Sequence, residues 1–389
     1  MAGGLVLAIL QFAFALTWII YVVYLPQLAT EAGLSRSVVP WLLVADQAIF
    51  VVCDWAAGVY ADRVTRTFGR LAPRVALVAL VSGGAFLALP ALDFTEVPGK
   101  SAAFIALIVV WSITSSALRA PPLVIFAHYT SRPTRSWLAG LYLIGVGAAG
   151  AVAPYLGTLL AKTDPRIPFA ISAGAVVVVS FVLVIVERYL EPIDHDPRTA
   201  SRSSGGVIAL FALALVLLAI GFQIHAQINS GPAYKRVTTD VDAVLPMFWI
   251  GFSLAMLPAT FFANRIGGFL VMAVASVIGA GAMFFVARAG SLGALVTVQI
   301  VAGAAWGAIL TGAFTAANRV TRPEREGSVT GLVFSMLATA AVARITIVAT
   351  ELPKEPAVGG LLPTLPAIAW LVGSVLVAVL ALRTADRRA

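Results

Sequence analysis

Twelve long apolar runs divide this sequence, and they constrain its fold more than any other feature. A helix that crosses a bilayer needs about 20 mostly apolar residues, and runs of this length recur along the whole chain. Their approximate bounds are 4–28, 38–61, 73–92, 101–128, 137–161, 167–187, 206–229, 241–263, 268–287, 291–316, 327–350 and 361–382. The runs are apolar on every face, whereas β-barrel strands alternate apolar and polar residues over about ten positions. The sequence therefore predicts an all-α membrane protein with twelve spanning helices, helix 1 to helix 12.

The composition excludes several classes of protein. Hydrophobic residues make up 60% of the 389 positions and charged residues 11%, and the mean hydropathy is +0.97. Soluble domains contain roughly 45–50% apolar and 25% charged residues, so a disordered chain, a coiled coil and a soluble enzyme are excluded. The sequence contains no metal-ligand spacing, nucleophile elbow, phosphate loop or dinucleotide fingerprint. We therefore expect no enzymatic activity, no cofactor and no metal site.

A polar stretch near the middle separates six apolar runs from six others. It extends from Glu187 to Gly206 and is the longest polar interruption before the C-terminus. The connectors after helices 2 and 8 show weak internal symmetry, because Gly58, Asp62 and Arg63 recur at the same spacing in a degraded form, Thr260, Asn264 and Arg265. The predicted domains are an N-terminal six-helix bundle at 1–189, a cytoplasmic linker at 190–205 and a C-terminal six-helix bundle at 206–389.

The basic residues predict the orientation in the membrane. The net charge is +8, and Lys and Arg lie mostly in short connectors between the apolar runs. With both termini in the cytoplasm, the cytoplasmic connectors and ends carry twice as many basic residues as the external connectors, which is the favoured arrangement. We predict a multi-pass protein of the plasma (inner) membrane with cytoplasmic termini. Its expected partners include membrane lipids but no nucleic acid.

The connector between helices 2 and 3 carries a specific motif. Residues 58–74 read GVYADRVTRTFGRLAPR. A Gly, three further residues and then Asp-Arg followed by basic residues resembles the helix 2–3 signature of the major facilitator superfamily. Over helices 2 to 4 the finer pattern is similar to the glycoside-pentoside-hexuronide:cation symporters. The resemblance implies a major facilitator fold, with twelve transmembrane helices in two pseudo-symmetric six-helix bundles, and transport by alternating access.

Five residues of this motif are candidates for a conformational latch: Gly58, Asp62, Arg63, Arg66 and Arg70. An Asp at the cytoplasmic end of helix 2 can meet the positive N-terminal dipole of an adjacent helix, and the arginines can bind carboxylates or lipid phosphates. In the alternative interpretation, the arginines only fix the topology.

Four charged side chains lie inside the predicted spans and are candidates for coupling or gating: Asp46, Asp54, Arg119 and Arg344. A charge near the bilayer centre costs at least about 2.5–3.5 kcal/mol, so a partner or a function is expected for each. At 1.5 Å per residue, Asp54 and Arg119 lie about 24 and 27 Å from the outer ends of helices 2 and 4, and Asp46 and Arg344 are also level with each other. We predict that Asp54 pairs with Arg119 and that Asp46 pairs with Arg344. The second pair is expected to form a bridge when the outer side closes. The alternatives are a static Asp54–Arg119 bridge, and Asp46 and Arg344 as polar parts of a cavity wall.

The symporter resemblance implies a cation site built from carboxylates on helices 2 and 4. Asp54 matches one of these positions, but Phe50 stands at the other helix 2 position and Arg119 stands where the helix 4 carboxylate belongs. We therefore expect no sodium site.

Polar and aromatic residues on helices 1, 4, 7 and 10 are candidates for substrate binding, because the resemblance implies a cavity lined by these helices near the midplane. The candidates are Gln11, Trp18, Tyr21, Ser115, Arg119, Gln223, His225, Gln227, Gln299 and Trp306. On an α-helix, Gln223 and Gln227 share one stripe, and His225 and Asn229 share another. An aromatic stripe also serves for packing, and His225 can be a hydrogen-bonded polar residue rather than a proton carrier.

The sequence thus predicts a secondary active transporter, monomeric, that moves a small polar organic solute and is proton-coupled or facilitative. Helix 5 offers an alternative, since its glycines and Pro154 resemble the Gly-Pro motif of drug:proton antiporters, which export drugs or metabolites. A receptor or scaffold that has lost transport is a further alternative from another class.

Overall fold

The apolar runs all form helices in the computed structural model, which describes residues 2–92, 99–191, 205–320 and 325–385. Twelve helices in this part of the chain are long and apolar enough to cross a membrane. In order they are Ala2–Glu31, Val39–Phe68, Ala72–Ala91, Lys100–Tyr129, Arg132–Leu160, Arg166–Arg188, Gly205–Lys235, Pro246–Ile266, Gly268–Val286, Leu292–Val320, Glu326–Ala349 and Leu365–Ala385. They correspond one to one to the predicted helices 1 to 12, and a short helix, Pro356–Leu361, lies between the last two.

The bounds differ from the predicted ones mainly where proline sets a helix start. Helix 5 begins at Arg132, five residues before the apolar run, and helix 8 begins at Pro246, five residues after the predicted start. Proline suits the first turn of a helix because the missing N–H is not needed there and its φ is already helical. Pro133 and Pro246 both occupy such positions.

Helices 4 and 7 are irregular near their middle. In helix 4 the α-helical part ends at Ser115, a 3₁₀ turn spans Ser116–Leu118, and the α-helix resumes at Ala120. The two prolines that follow, at positions 121 and 122, lack the N–H groups that would continue the hydrogen-bond ladder through the turn. In helix 7 residues His225–Asn229 are π-helical, and the N–H of Ser230 bonds the carbonyl of His225. Irregular turns of this kind are frequent at functional positions.

The helices form two six-helix bundles, helices 1–6 and helices 7–12, as the sequence resemblance implies. Within the first bundle helix 3 packs on helices 4 and 6, and within the second helix 9 packs on helices 10 and 12. The bundles meet mainly where helix 2 packs on helix 11 and helix 5 on helix 8. We call the end of the molecule at which helix 1 begins the terminal end. Most of the predicted linker, residues 192–204, lies outside the described residues.

Candidate functional site

Helices 2 and 11 approach each other closely at the terminal end because glycines line their contact. A side chain at Gly58 would collide with the carbonyl group of Gly327, and one at Gly331 would collide with the carbonyl group of Asp54. Backbone therefore meets backbone along this part of the interface between the two bundles.

Asp62 caps the N-terminus of helix 11 across this interface. Its Oδ1 accepts a hydrogen bond from the N–H of Gly327 at 2.7 Å, and its Oδ2 accepts bonds from the N–H and the hydroxyl of Ser328 at 2.8 and 2.5 Å. A carboxylate is favourable there because the first N–H groups of a helix have no intrahelical acceptor and carry partial positive charge. The partner that the motif predicts for this Asp is thus helix 11.

The arginines of the motif take no part in this cap. Arg63, Arg66 and Arg70 are exposed, and Arg66 donates to the carbonyl of Asp62 within helix 2, at 3.3 Å. Their positions agree with the interpretation that they fix the topology, and a latch role for them stays a prediction.

A second ionic contact between the bundles lies beside this cap. Arg135, near the start of helix 5, forms an ion pair with Glu326, the first residue of helix 11, and both side chains are buried. Arg135 also donates from Nε to the carbonyl of Thr130 at 2.9 Å. The sequence alone does not predict this pair, because charged residues at helix ends are explained equally well by membrane topology. The available signal was the acidic residue directly before Gly327.

Helices 5 and 8 meet through neutral groups. Gly140 faces the hydroxyl of Thr260, and a side chain at Gly150 would collide with the ring of Trp249. At the terminal end Asn264 donates from Nδ2 to the carbonyl of Pro133 at 3.3 Å. The degraded copy of the motif thus makes a neutral hydrogen bond where the first copy makes an ionic cap.

The predicted pair of Asp54 and Arg119 is present at the centre of the molecule. Arg119 Nη1 lies 2.5 Å from Asp54 Oδ2, Asp54 is fully buried, and the Arg119 side chain is 15% exposed. The guanidinium group lies between the rings of Phe50 and Phe334, 5.0 Å from each ring centre. Tyr142 donates to the carbonyl of Arg119 at 3.1 Å. Because Phe334 belongs to helix 11, the ionic centre also contacts the second bundle.

Asp46 and Arg344 do not contact each other in this structure. Asp46 is fully buried and accepts hydrogen bonds from the hydroxyls of Tyr21 at 2.7 Å and Ser112 at 2.8 Å, both within its own bundle. Arg344 is half-buried and donates from Nε to the side-chain oxygen of Gln223 at 3.3 Å. The bridge that we predict for these two residues requires the end of the molecule opposite the termini to close, and it stays a prediction.

Four of the predicted substrate-binding residues are buried inside a bundle rather than placed on a cavity wall. Ser115 shares a hydrogen bond with Ser82 at 3.2 Å. Trp306 is 2% exposed and stacks on Phe222, with ring centres 4.5 Å apart. His225 and Gln299 share a bond of 2.8 Å between Nε2 and Oε1. These residues are satisfied by partners of their own bundle, so this conformation leaves them away from a solute.

The remaining candidates differ in their exposure. Gln227 is exposed, Gln223 and Trp18 are half-buried, and Gln11 is buried with a side-chain oxygen that has no hydrogen-bond partner in the described part of the chain. Trp18 stacks on Trp111, with ring centres 6.0 Å apart, and Tyr21 is the buried donor to Asp46.

The stripe predicted for His225 and Asn229 on helix 7 is wrong because the π-helical turn changes the pitch. After the turn, side chains no longer repeat every 3.6 residues, so Asn229 does not follow His225 on one face. His225 points into the bundle, whereas Asn229 donates to the carbonyl of Leu362 at 2.7 Å.

The described residues form twelve helices, in two bundles, that are long and apolar enough to span a membrane. A buried ion pair in the first bundle packs against the second bundle through Phe334, and this arrangement is that of a membrane transporter fold. The chain belongs to the Major Facilitator Superfamily, which its residues 7–344 match. The resemblance to the glycoside-pentoside-hexuronide:cation symporters is not specifically supported by this match and stays a prediction. No curated protein sequence matches the chain.

Solved structures of low sequence identity share the fold. A bacterial homologue of the iron transporter ferroportin in an outward-facing state has a TM-score of 0.75 at 11% identity, covering 98% of this chain and 99% of that chain. The human organic anion transporter MFSD10 (TETRAN) has a TM-score of 0.69 at 14% identity, covering 96% and 99%. The E. coli fucose:proton symporter FucP has a TM-score of 0.67 at 13% identity, covering 96% and 97%.

Proposed function

We propose that the protein is a secondary active transporter that moves a small polar organic solute by alternating access, proton-coupled or facilitative. The observation that carries this proposal is the difference between the two ends of the helix 2–helix 11 contact. At the terminal end Asp62 caps helix 11 and glycines pack backbone on backbone. Toward the opposite end, Asp46 and Arg344 each contact their own bundle. The terminal end is therefore closed by contacts between the bundles, whereas Asp46 and Arg344 at the opposite end form no hydrogen bond or ion pair across the interface among the described residues.

The terminal end is the cytoplasmic end in this proposal, and the structure is then outward-facing. Support comes from the excess of basic residues at that end. Single cysteines at Ser203, outside the described residues, and at Lys235, in a Cys53→Ser background, test the assignment. An impermeant maleimide applied to intact cells should label position 235 and leave 203 unlabelled, and labelling of both from one side would contradict it.

The central ion pair is the part of the site that we assign to conformational coupling. Arg119 bonds Asp54 in its own bundle and packs against Phe334 of the other bundle. Opening of the terminal end moves helix 11 away from helix 2 and so removes Phe334 from the guanidinium group. Arg119 and Asp54 then face the cytoplasmic side, which makes the pair sensitive to the state of the carrier.

The export alternative gains no specific support from helix 5. Gly145 lies against the backbone of helix 1, and Gly147 and Gly150 lie against helix 8. Close helix packing therefore accounts for these glycines without an antiporter role.

Solute counterflow in proteoliposomes tests the proposal. Purified protein is first screened by thermal shift against sugars, carboxylates, amines and lipids. The strongest ligand is then loaded inside the vesicles, and uptake of its labelled form is measured. We expect faster uptake than in protein-free vesicles, because a carrier exchanges solute across the bilayer. Binding without exchange would contradict transport and favour a receptor.

A further inference from the structure

The charges within the spanning part of the chain are not balanced in the same way in the two bundles. In the first bundle Arg119 neutralises Asp54 at 2.5 Å, and both oxygens of Asp46 accept hydrogen bonds from hydroxyls. In the second bundle Arg344 has no carboxylate within 4 Å among the described residues, and its protein acceptor is the neutral amide of Gln223. A guanidinium group at this depth without a counter-charge is costly, so an anion is expected to bind there.

The two terminal N–H₂ groups of Arg344 are available to bind a ligand. Nε bonds Gln223 Oε1 at 3.3 Å, while Nη1 and Nη2 donate to no protein acceptor in the described ranges. The side chain is half-buried, so part of it remains exposed. A planar guanidinium with two free N–H₂ groups matches the two oxygens of a carboxylate.

The acidic side chains at this depth in the described helices are not exposed to a ligand site. Asp46 lies at a similar depth, but it is fully buried and both of its oxygens accept hydrogen bonds. Arg119 is paired with Asp54, so Arg344 is the intramembrane cation of the described residues that has no ion pair. An unpaired cation attracts ligands of the opposite charge.

Side chains at a similar depth suit an organic rather than an inorganic anion. Trp18 is half-buried and lies about 24 Å along helix 1, at nearly the same depth as Arg344, about 27 Å along helix 11. Gln227, four residues after the Gln223 that bonds Arg344, is exposed and carries an amide. An aromatic face and amide groups can hold the carbon skeleton and polar substituents of a small molecule.

We propose that Arg344 binds the carboxylate of a small organic anion, which is the solute of this carrier. This inference rests on the proposed transport function. Gln223 positions the guanidinium through Nε, and the two N–H₂ groups face the ligand. In the empty carrier with its outer side closed, Asp46 serves as the counter-charge, so solute and Asp46 replace each other on Arg344.

Thermal stability of the purified full-length protein tests the anion site. The probes are acetate, lactate, succinate, benzoate and phenylacetate, each compared with its neutral amide, together with inorganic phosphate. The variants are Arg344→Gln and Arg344→Lys, with Arg36→Gln as a matched control that removes an exposed guanidinium elsewhere. We expect at least one carboxylate to stabilise the protein more than its amide and more than phosphate. Its Kd should rise at least about tenfold in Arg344→Gln, less in Arg344→Lys, and remain unchanged in Arg36→Gln.

Three outcomes would overturn the inference. The first is that no carboxylate stabilises the protein more than its amide, and the second is that the preference survives in Arg344→Gln. The third is that only vesicles containing phosphatidylglycerol give a stability shift that depends on Arg344, which would assign the arginine to a lipid headgroup. Counterflow separates the two proposals: carboxylate binding without exchange refutes transport alone, whereas exchange of neutral solutes independent of Arg344 refutes the anion site alone.

Discussion

Helix 2, which packs on helix 11, carries an acidic side chain at three levels, whereas the described contact of helices 5 and 8 is neutral. Along helix 2, Asp62 caps helix 11, Asp54 pairs with Arg119 against Phe334, and Asp46 lies level with Arg344. Between helices 5 and 8 the structure shows glycine packing and one amide-to-carbonyl hydrogen bond. Breaking an ionic contact costs more free energy than separating neutral packed surfaces. In the transport mechanism that we propose, the helix 2–helix 11 contact is therefore the gate, and the bundles rotate against each other at the helix 5–helix 8 contact.

The largest effect is expected from Gly331→Leu. A side chain at this position would meet the carbonyl group of Asp54, which cannot move aside without shifting helix 2. Overpacking of this kind costs about 3 kcal/mol, which lowers the population of the state closed at the terminal end about 100-fold relative to the open state. Solute counterflow should fall accordingly. Gly281→Leu is the matched control, because nothing lies within 4 Å of a side chain there, and an equal loss in both variants would refute the gate.

Asp62→Asn should produce the next largest effect. The amide keeps the shape but loses the charge that stabilises the helix 11 N-terminus, which is worth about 1.5–3 kcal/mol for hydrogen bonds to a charged group. The terminal end should then open more often. The maleimide labelling rate of a cysteine at Thr330, buried beneath this cap, should rise about tenfold.

Asn264→Ala on the neutral contact is the comparison for Asp62→Asn. It removes one hydrogen bond between neutral groups, so the same labelling rate should change less than about threefold. Equal effects of the two substitutions would show that the two contacts share the gating role.

The third prediction concerns Asp46 and Arg344, at the end of helices 2 and 11 opposite the termini. Either Asp46→Asn or Arg344→Gln should remove the bridge of the outer-closed state and raise the labelling rate of a cysteine at Gln227 by about five- to tenfold. The double swap Asp46→Arg with Arg344→Asp should return this rate toward that of the unchanged protein, since the attraction is restored. Anion transport should stay low in the swap, because Asp at position 344 repels a carboxylate. A swap that labels as fast as the faster single variant would eliminate the bridge.

The smallest effect is expected from sodium. Arg119 neutralises Asp54 at the middle level of the gate, so no carboxylate is left there to bind a cation. Counterflow should be the same in sodium and in choline. A saturable sodium dependence that disappears in Asp54→Asn would refute this prediction.

The fold was predictable because each apolar run is long enough to cross a bilayer. Within the bilayer, the backbone N–H and C=O groups of such a run find hydrogen-bond partners only if the run is helical. The Asp54–Arg119 pair was predictable because depth along a helix follows from residue counting. The direction in which a side chain points was not predictable from these runs, since they are apolar on every face and offer no polar stripe as a reference. Trp306 was therefore assigned to the cavity, although it packs on Phe222.

The irregular turns of helices 4 and 7 and the Arg135–Glu326 pair depend on tertiary contacts. The prolines after Arg119 indicate a disturbance in helix 4 but not a 3₁₀ turn. The π-helical turn is stabilised by the buried bonds of Gln299 to His225 and Ser230, which come from helix 10. Such pairings between distant segments are not visible in one sequence.

The π-helical turn at His225–Asn229 also gives this transporter a simple way to change over evolutionary time. A π turn holds one residue more than an α turn, so helix 7 after the turn is rotated by roughly 100° relative to an uninterrupted helix. Loss of a single codon within this turn would restore the regular pitch and redirect every later side chain of the helix, Asn229 included. The rest of the bundle would keep its sequence. A deletion of one residue, rather than a series of substitutions, would therefore change the side chains that helix 7 presents beyond the turn all at once.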